Sequence, residues 1–188
     1  VKISVNGKEM NMPQATAGLG YVKAARTGAN FNTLTIDKYN DGTSWGAAYG
    51  QSFQKVTEVA NASSGISISR ELLKNGKPAT ELHVGDRVTV KITISADRDY
   101  DFVQVADKRA ACMEPLNQLS GYHWGFYCAP KDNATYYYFD CLAKGKRVIE
   151  TDYYIDRSGS YDTGTCTAQC AYSPEYSART AAKNIEVK

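Results

Sequence analysis

The sequence predicts an all-β protein built as an antiparallel β-sandwich. The composition favours strands: 14 of the 188 residues are Tyr, beside many Thr, Val and Ile, side chains that suit a pleated, half-buried surface. Apolar residues recur with a period of two, most clearly where Val88, Val90, Ile92 and Ile94 alternate with Thr89, Lys91, Thr93 and Ser95. Short runs of this kind return at regular spacing between Gly, Asn and Pro, and no amphipathic helix of ten or more residues interrupts them.

In chain order, Val1 to Met12 reads as a hairpin turning at Asn6-Gly7, a pair suited to two positive φ angles. Gly18 to Ala25 is a strand candidate. Thr33 to Lys38 alternates with Leu34 and Ile36 on one face, Asp41-Gly42 marks a turn, and Gly46 to Phe53 is an apolar-aromatic strand candidate. Glu58 to Ser64 has the composition of a linker. Beyond it, Ile66 to Ser69 alternates and Asn75-Gly76 with Pro78 makes a turn. The Val88 strand follows, then an acidic turn at Asp97 to Asp101 leads into Phe102, Val103 and Val105. Tyr136 to Phe139 is an aromatic strand. Ile149, Thr151, Tyr153 and Ile155 share one face, as do Cys166, Ala168, Cys170 and Tyr172.

Composition also excludes classes of function. With 22 Lys and Arg against 20 Asp and Glu, the formal net charge is +2. Short runs such as Lys144 to Arg147 form no basic stripe, so no nucleic-acid partner is expected. No apolar run approaches the ~20 residues of a membrane helix. The chain opens on Val1, which reads as a processed or excised piece of something longer.

The residues hold little chemistry. The two histidines, His83 and His123, accompany no nucleophile elbow. Asp97, Asp99 and Asp101 imitate the start of a calcium loop, but Phe102 stands where that loop needs Gly and Lys108 where it needs a bidentate carboxylate. Gly18-Leu19-Gly20 is too short for a phosphate cradle. Five cysteines without a C-x-x-C pair, beside two histidines, do not match the ligand spacing of a structural zinc site. No catalytic residue, cofactor or metal is expected, and the chain is read as no enzyme.

Several motifs, in one order, resemble the C-terminal region of bacterial α2-macroglobulin family proteins. They are Gly65 to Leu72, Leu82 to Val90, Asp97 to Val103, Cys112-Met113-Glu114-Pro115 and Tyr172 to Tyr176; upstream, Gly18 to Val22 and Trp45 to Gln51 resemble the stretch after the thioester domain. Ser120 to Trp124 and Tyr136 to Asp140 resemble Bacteroidetes members. The resemblance implies that residues 1–63 are the C-terminal part of a CUB-like β segment and residues 64–188 the terminal macroglobulin-like β-sandwich. It implies an exported, often lipoprotein-anchored parent that entraps proteases. This chain's partners would then be neighbouring domains of the parent, and target proteases through it. The family thioester is C-x-E-Q; here Pro115 replaces Gln and has no side-chain amide to condense with a thiol, so no capture residue is carried over.

The cysteines allow either bridges or core packing. Cys166 and Cys170 lie ~13 Å apart along an extended strand, beyond the roughly 4.4–6.8 Å of a disulfide, so they cannot pair with each other. The preferred expectation pairs them with Cys112 and Cys128 and leaves Cys141 as the free thiol. Two other functions are weighed. One is a free-standing cell-surface binding module for glycan or protein, with Tyr122, Trp124, Phe126 and Tyr127 as a stacking platform; simple packing of those aromatics is the blander reading. The other is a small hydrolase, which nothing in the spacing recommends.

Overall fold

The computed structural model describes residues 1–11, 23, 25 and 32–188. The strand expected over Gly18 to Ala25, and the motif at Gly18 to Val22, lie outside the described residues apart from Lys23 and Ala25. The chain divides into two compact units, Val1–Gln51 and Ser52–Lys188.

The first unit holds three strands, β1 (Lys2–Val5), β2 (Lys8–Glu9) and β3 (Leu34–Asp37), in the order β2-β1-β3. The β1–β2 hairpin turns at Asn6 (φ 51°) and Gly7 (φ 75°), the left-handed pair that matches strand twist. The Asn6 side-chain oxygen accepts the amides of Asn32 and Thr33 at 3.0 and 3.1 Å, tying β3 to that turn. The strand expected over Gly46 to Phe53 does not form: the segment is irregular, with Trp45 93 % and Tyr49 82 % exposed. A strand persists only where its N–H and C=O groups find partners, and no described strand pairs with this one.

The second unit opens with a 3₁₀ turn, Val56–Glu58, and continues as β4 (Ala62–Ser64), β5 (Ile66–Lys74), β6 (Lys77–Pro78), β7 (Arg87–Ala96), β8 (Tyr100–Lys108), β9 (Met113–Pro115), β10 (Gly121–His123), β11 (Phe126–Pro130), β12 (Ala134–Leu142), β13 (Gly145–Ile155), β14 (Gly159–Asp162), β15 (Cys166–Cys170), β16 (Ser177–Arg179) and β17 (Asn184–Val187). All the strand pairings are antiparallel, in the path β10-β11-β12-β8-β15-β16-β4-β5-β7-β13-β9, with β6 on β5 and a separate β14–β17 ribbon. The path folds over itself. β12 and β13 stand far apart along it, yet the Thr135 and Tyr153 hydroxyls meet at 2.9 Å and those of Tyr137 and Thr151 at 2.6 Å. The result is a two-layer sandwich, hydrogen-bonded along one side through β16 and β4.

The period of two predicted at β7 and β13 places Val88, Val90, Ile92, Ile94, Ile149, Tyr153 and Ile155 inside, opposite Val103 and Val105 of β8. Each such aliphatic side chain contributes about 1.5–3 kcal/mol relative to an exposed one. The segment read as a linker differs from expectation: Ala62–Ser64 is a strand. It forms because β16 offers it an edge, while the Arg179 Nε–H donates to the Ala60 carbonyl at 3.1 Å and the Ala181 amide to Asn61 Oδ1 at 2.6 Å. Tyr172 also departs from its expected face. It lies beyond β15 and is exposed.

Gly65 turns the chain from β4 into β5 with a φ of 70°. A Cβ there would overlap the Tyr100 hydroxyl and lie 2.9 Å from Tyr176 Cδ1, so both the conformation and the space require glycine.

Candidate functional site

Three side-chain groupings stand out in the second unit. The first is internal. Arg70 on β5 lies in phase with Ile66, Ile68 and Leu72, and Asp107 on β8 lies in phase with Val103 and Val105, so alternation directs both charges inward. Arg70 Nε reaches within 2.7 Å of Asp107 Oδ1, with side-chain exposures of 10 % and 0 %. The distance is that of a hydrogen bond but the alignment is not, so charge chiefly holds the pair. Burial pushes the Asp107 carboxyl upward; the neighbouring Arg70 and Arg109 guanidiniums pull it back. Beside it, Arg109 Nε donates to the Met113 carbonyl and Nη2 to the Asp132 carbonyl, both at 2.9 Å, with the guanidinium 6.0 Å above the Tyr153 ring. Sequence reading passed over Arg70 and Asp107; their phase within alternating strands was the available signal. The pair is a pin between layers, and it touches no open surface for chemistry.

The second grouping surrounds the acidic turn. Asp97 accepts Arg98 Nε at 3.2 Å and the Tyr100 hydroxyl at 2.5 Å, which hold its carboxyl below the usual range. Arg98 stands 5.1 Å over the Tyr176 ring, and Asp99 accepts the Lys144 amide at 2.7 Å. Two of the three carboxylates resembling a calcium loop thus serve donors of the protein. No cluster of metal-ligating side chains occurs among the described residues. Phe102 follows with a φ of 53° and meets Tyr172 edge-on at 5.4 Å.

The third grouping is the β10–β11 hairpin. Tyr122 pairs with Tyr127 and His123 with Phe126, leaving Trp124-Gly125 at the turn. Tyr122 meets Tyr127 edge-on at 5.1 Å, and His123 stacks on Phe126 at 5.3 Å. Arg147 of β13 donates to the Trp124 carbonyl and lies 5.8 Å from the Phe126 ring. Under the hairpin a cleft of about 270 Å³ opens between the layers, lined by Leu116, Leu119, His123, Phe126, Tyr137 and Thr151 among others. The other histidine, His83, faces the carboxylates of Glu81 and Asp86 at 3.7 and 3.9 Å.

All five cysteines are free thiols in this structure, where bridges of Cys112 and Cys128 to Cys166 and Cys170 were expected. Strand order supplies a reason for Cys128. It lies on β11, and β12 and β8 intervene before β15. Three steps of about 4.8 Å put it ~14 Å away, beyond disulfide reach. Cys112, Cys128, Cys166 and Cys170 are buried, and burial pushes each thiol upward. Cys141 is exposed.

Residues 65–175 match the family described as Bacterial Alpha-2-macroglobulin MG10 domain. No curated protein matches the chain. Among solved structures it is similar to Salmonella alpha-2-macroglobulin reacted with methylamine, at 21 % identity and a TM-score of 0.62 over 70 % of this chain and 10 % of that one. Trypsin-activated Escherichia coli alpha-2-macroglobulin gives 18 % and 0.61 over 69 % and 11 %. Native E. coli alpha-2-macroglobulin from domain MG7 to the C-terminus gives 19 % and 0.62 over 70 % and 25 %. At these identities the likeness is one of fold, and the chain spans a small part of each relative.

Proposed function

Because the chain belongs to the bacterial alpha-2-macroglobulin MG10 domain family, we propose that it is a non-catalytic structural module near the C-terminus of an exported, protease-entrapping parent of the Bacteroidetes type. The family match over residues 65–175 carries this reading. In this reading the terminal sandwich begins with the second compact unit at Ser52 and the CUB-like segment ends with the first at Gln51. The exposed Trp45 and Tyr49 support a segment that packs against other parts of the parent. The E. coli relatives are described as activated by trypsin and by porcine elastase; by extension, cleavage of this parent by a protease sets its domains moving.

The module's contribution is mechanical. A sandwich pinned internally by Arg70–Asp107 and by the Thr135–Tyr153 and Tyr137–Thr151 hydroxyl pairs moves as one body. It can shield a neighbouring thioester-type domain until the parent is cut. Its partners are neighbouring domains of the same chain and, through the parent, the target protease. It works outside the cytoplasm, in the periplasm or at the cell surface, on a lipoprotein-anchored parent. None of the described helices is long and apolar enough to cross a membrane, so anchoring would fall to the parent.

The test is entrapment by the intact parent and by a parent lacking residues 65–188. A trapped protease still cleaves a small chromogenic substrate while resisting a macromolecular inhibitor. The intact parent protects trypsin and the truncated one does not. Equal protection by both, or by neither, contradicts the proposal.

A further inference from the structure

Part of β13 is an open edge. It pairs with β7 from Gly145 to Tyr154, but with β9 only from Tyr153 to Ile155. On the β9 side the Asp152 carbonyl accepts the Leu116 amide and the Asp156 amide donates to the Cys112 carbonyl; Ile155 instead bonds toward β7, at Gly85 and Asp86. Strand alternation then turns the N–H and C=O groups of Val148 and Glu150 to the open edge, and no described residue meets them there. We propose that this edge takes an extended segment of a partner polypeptide as a further antiparallel strand, one in which aliphatic and basic side chains alternate. The inference stands on this edge and not on protease entrapment.

The unpaired backbone is what selects an extended peptide. A row of free N–H and C=O groups is a template for another strand; main-chain bonds give such a complex its affinity and alternate side chains its choice of partner. The usual guards of an edge are missing between Val148 and Thr151: that stretch has no Pro and no Lys, and Val148 is 48 % exposed. Arg147, just before it, is held by the Trp124 carbonyl.

The two faces of the added strand meet different chemistry. Side chains opposite Ile149 and Thr151 turn inward, to the cleft of about 270 Å³ that borders this edge, where Leu119, Phe126 and Tyr137 suit aliphatic groups. The side chain opposite Glu150 turns outward. Across that outer face Glu71, Lys91 and Glu150 stand in register on β5, β7 and β13. This is an acid–base–acid row, and Glu150 makes no ion pair among the described residues. A Lys or Arg on the added strand continues the alternation, since opposite charges attract across strands. Asp152, the other carboxylate bordering the cleft, is engaged by the Thr89 hydroxyl at 2.6 Å.

The test is NMR titration of the isotope-labelled full chain with acetyl-Ser-Leu-Lys-Val-Thr-Val-Ser-amide at millimolar concentration. The Val148 and Glu150 amides are expected to shift saturably and to gain protection from hydrogen exchange. Methylating the peptide's Lys nitrogen on the main chain removes the N–H that bonds the Glu150 carbonyl, and should raise Kd at least tenfold. Glu in place of that Lys should raise Kd at least threefold. Glu150→Lys, a change at an exposed side chain that the fold tolerates, should reverse the preference between the two peptides. The proposal is overturned if neither peptide binds saturably, if the methylated peptide binds as well, or if Glu150→Lys leaves the preference unchanged. Movement of the same amides with chain concentration alone overturns it too, giving the edge to a second copy.

Discussion

Arg70 on one layer of the sandwich and Asp107 on the other meet in the interior, Nε to Oδ1 at 2.7 Å, with the carboxylate fully buried. A pair in this position costs desolvation to form and more to break, because removing one partner strands the other. Asp107→Asn is therefore expected to lose about 3–5 kcal/mol of unfolding free energy, read from the urea midpoint at unchanged slope. Replacing both charges, as Arg70→Met with Asp107→Leu, is expected to cost far less than the single substitution. A double variant as unstable as the single would mean that the charges do not act as a pair.

Gly65 gives a second prediction. Gly65→Ala adds a Cβ onto the Tyr100 hydroxyl at a φ of 70°, and overpacking of this kind costs about 1–3 kcal/mol. Tyr100→Phe removes the overlapped oxygen, so the two substitutions together should destabilise less than their sum. Full additivity in thermal melts would show that the corner relaxes without involving Tyr100.

The thiols separate by exposure. A chromogenic disulfide reagent is expected to label Cys141 alone in the native chain. It should reach Cys112, Cys128, Cys166 and Cys170 only after unfolding. Intact mass should be identical before and after reduction. A mass gain on reduction would restore the bridges that the structure lacks.

Acid should weaken the fold partly through Asp86. Its carboxylate accepts Lys74 Nζ at 2.6 Å and the His83 amide at 2.8 Å, and these hold its pKa below the usual value. The unfolded carboxyl titrates near about 3.9. A depressed folded value means the stabilisation is present above that pH and is lost as pH falls through the folded pKa. Asp86→Asn should flatten the acid limb of stability against pH, measured by urea unfolding between about pH 5 and 2. An unchanged acid limb would assign it to other carboxylates.

Much of this architecture was legible in the residues, for identifiable reasons. The alternation of Val88 to Ile94 and of Ile149 to Ile155 reports strands with one face in the core. Asn6-Gly7 and Asn75-Gly76 report turns that need positive φ, which both pairs adopt. The same alternation contained the Arg70–Asp107 pin, but a charge on an inward face declares no partner until the layers are stacked. Ala62–Ser64 lacked apolar pattern because β16 and its side-chain tethers hold it. Spacing along the chain does not count the strands between β11 and β15, so the distance from Cys128 to Cys166 and Cys170 was not legible in the residues. Gly46 to Phe53 has the composition of a strand but no described partner to make it one.

The proposed function makes this chain one module of a much larger polypeptide. The direct measurement is the size of the native protein carrying it, by denaturing electrophoresis of cells probed with an antibody raised against the 188-residue chain. A band several times longer than 188 residues is expected, as in the Salmonella relative, of which the matched region is 10 %. A single band close to 188 residues would contradict it and make the chain a free-standing protein.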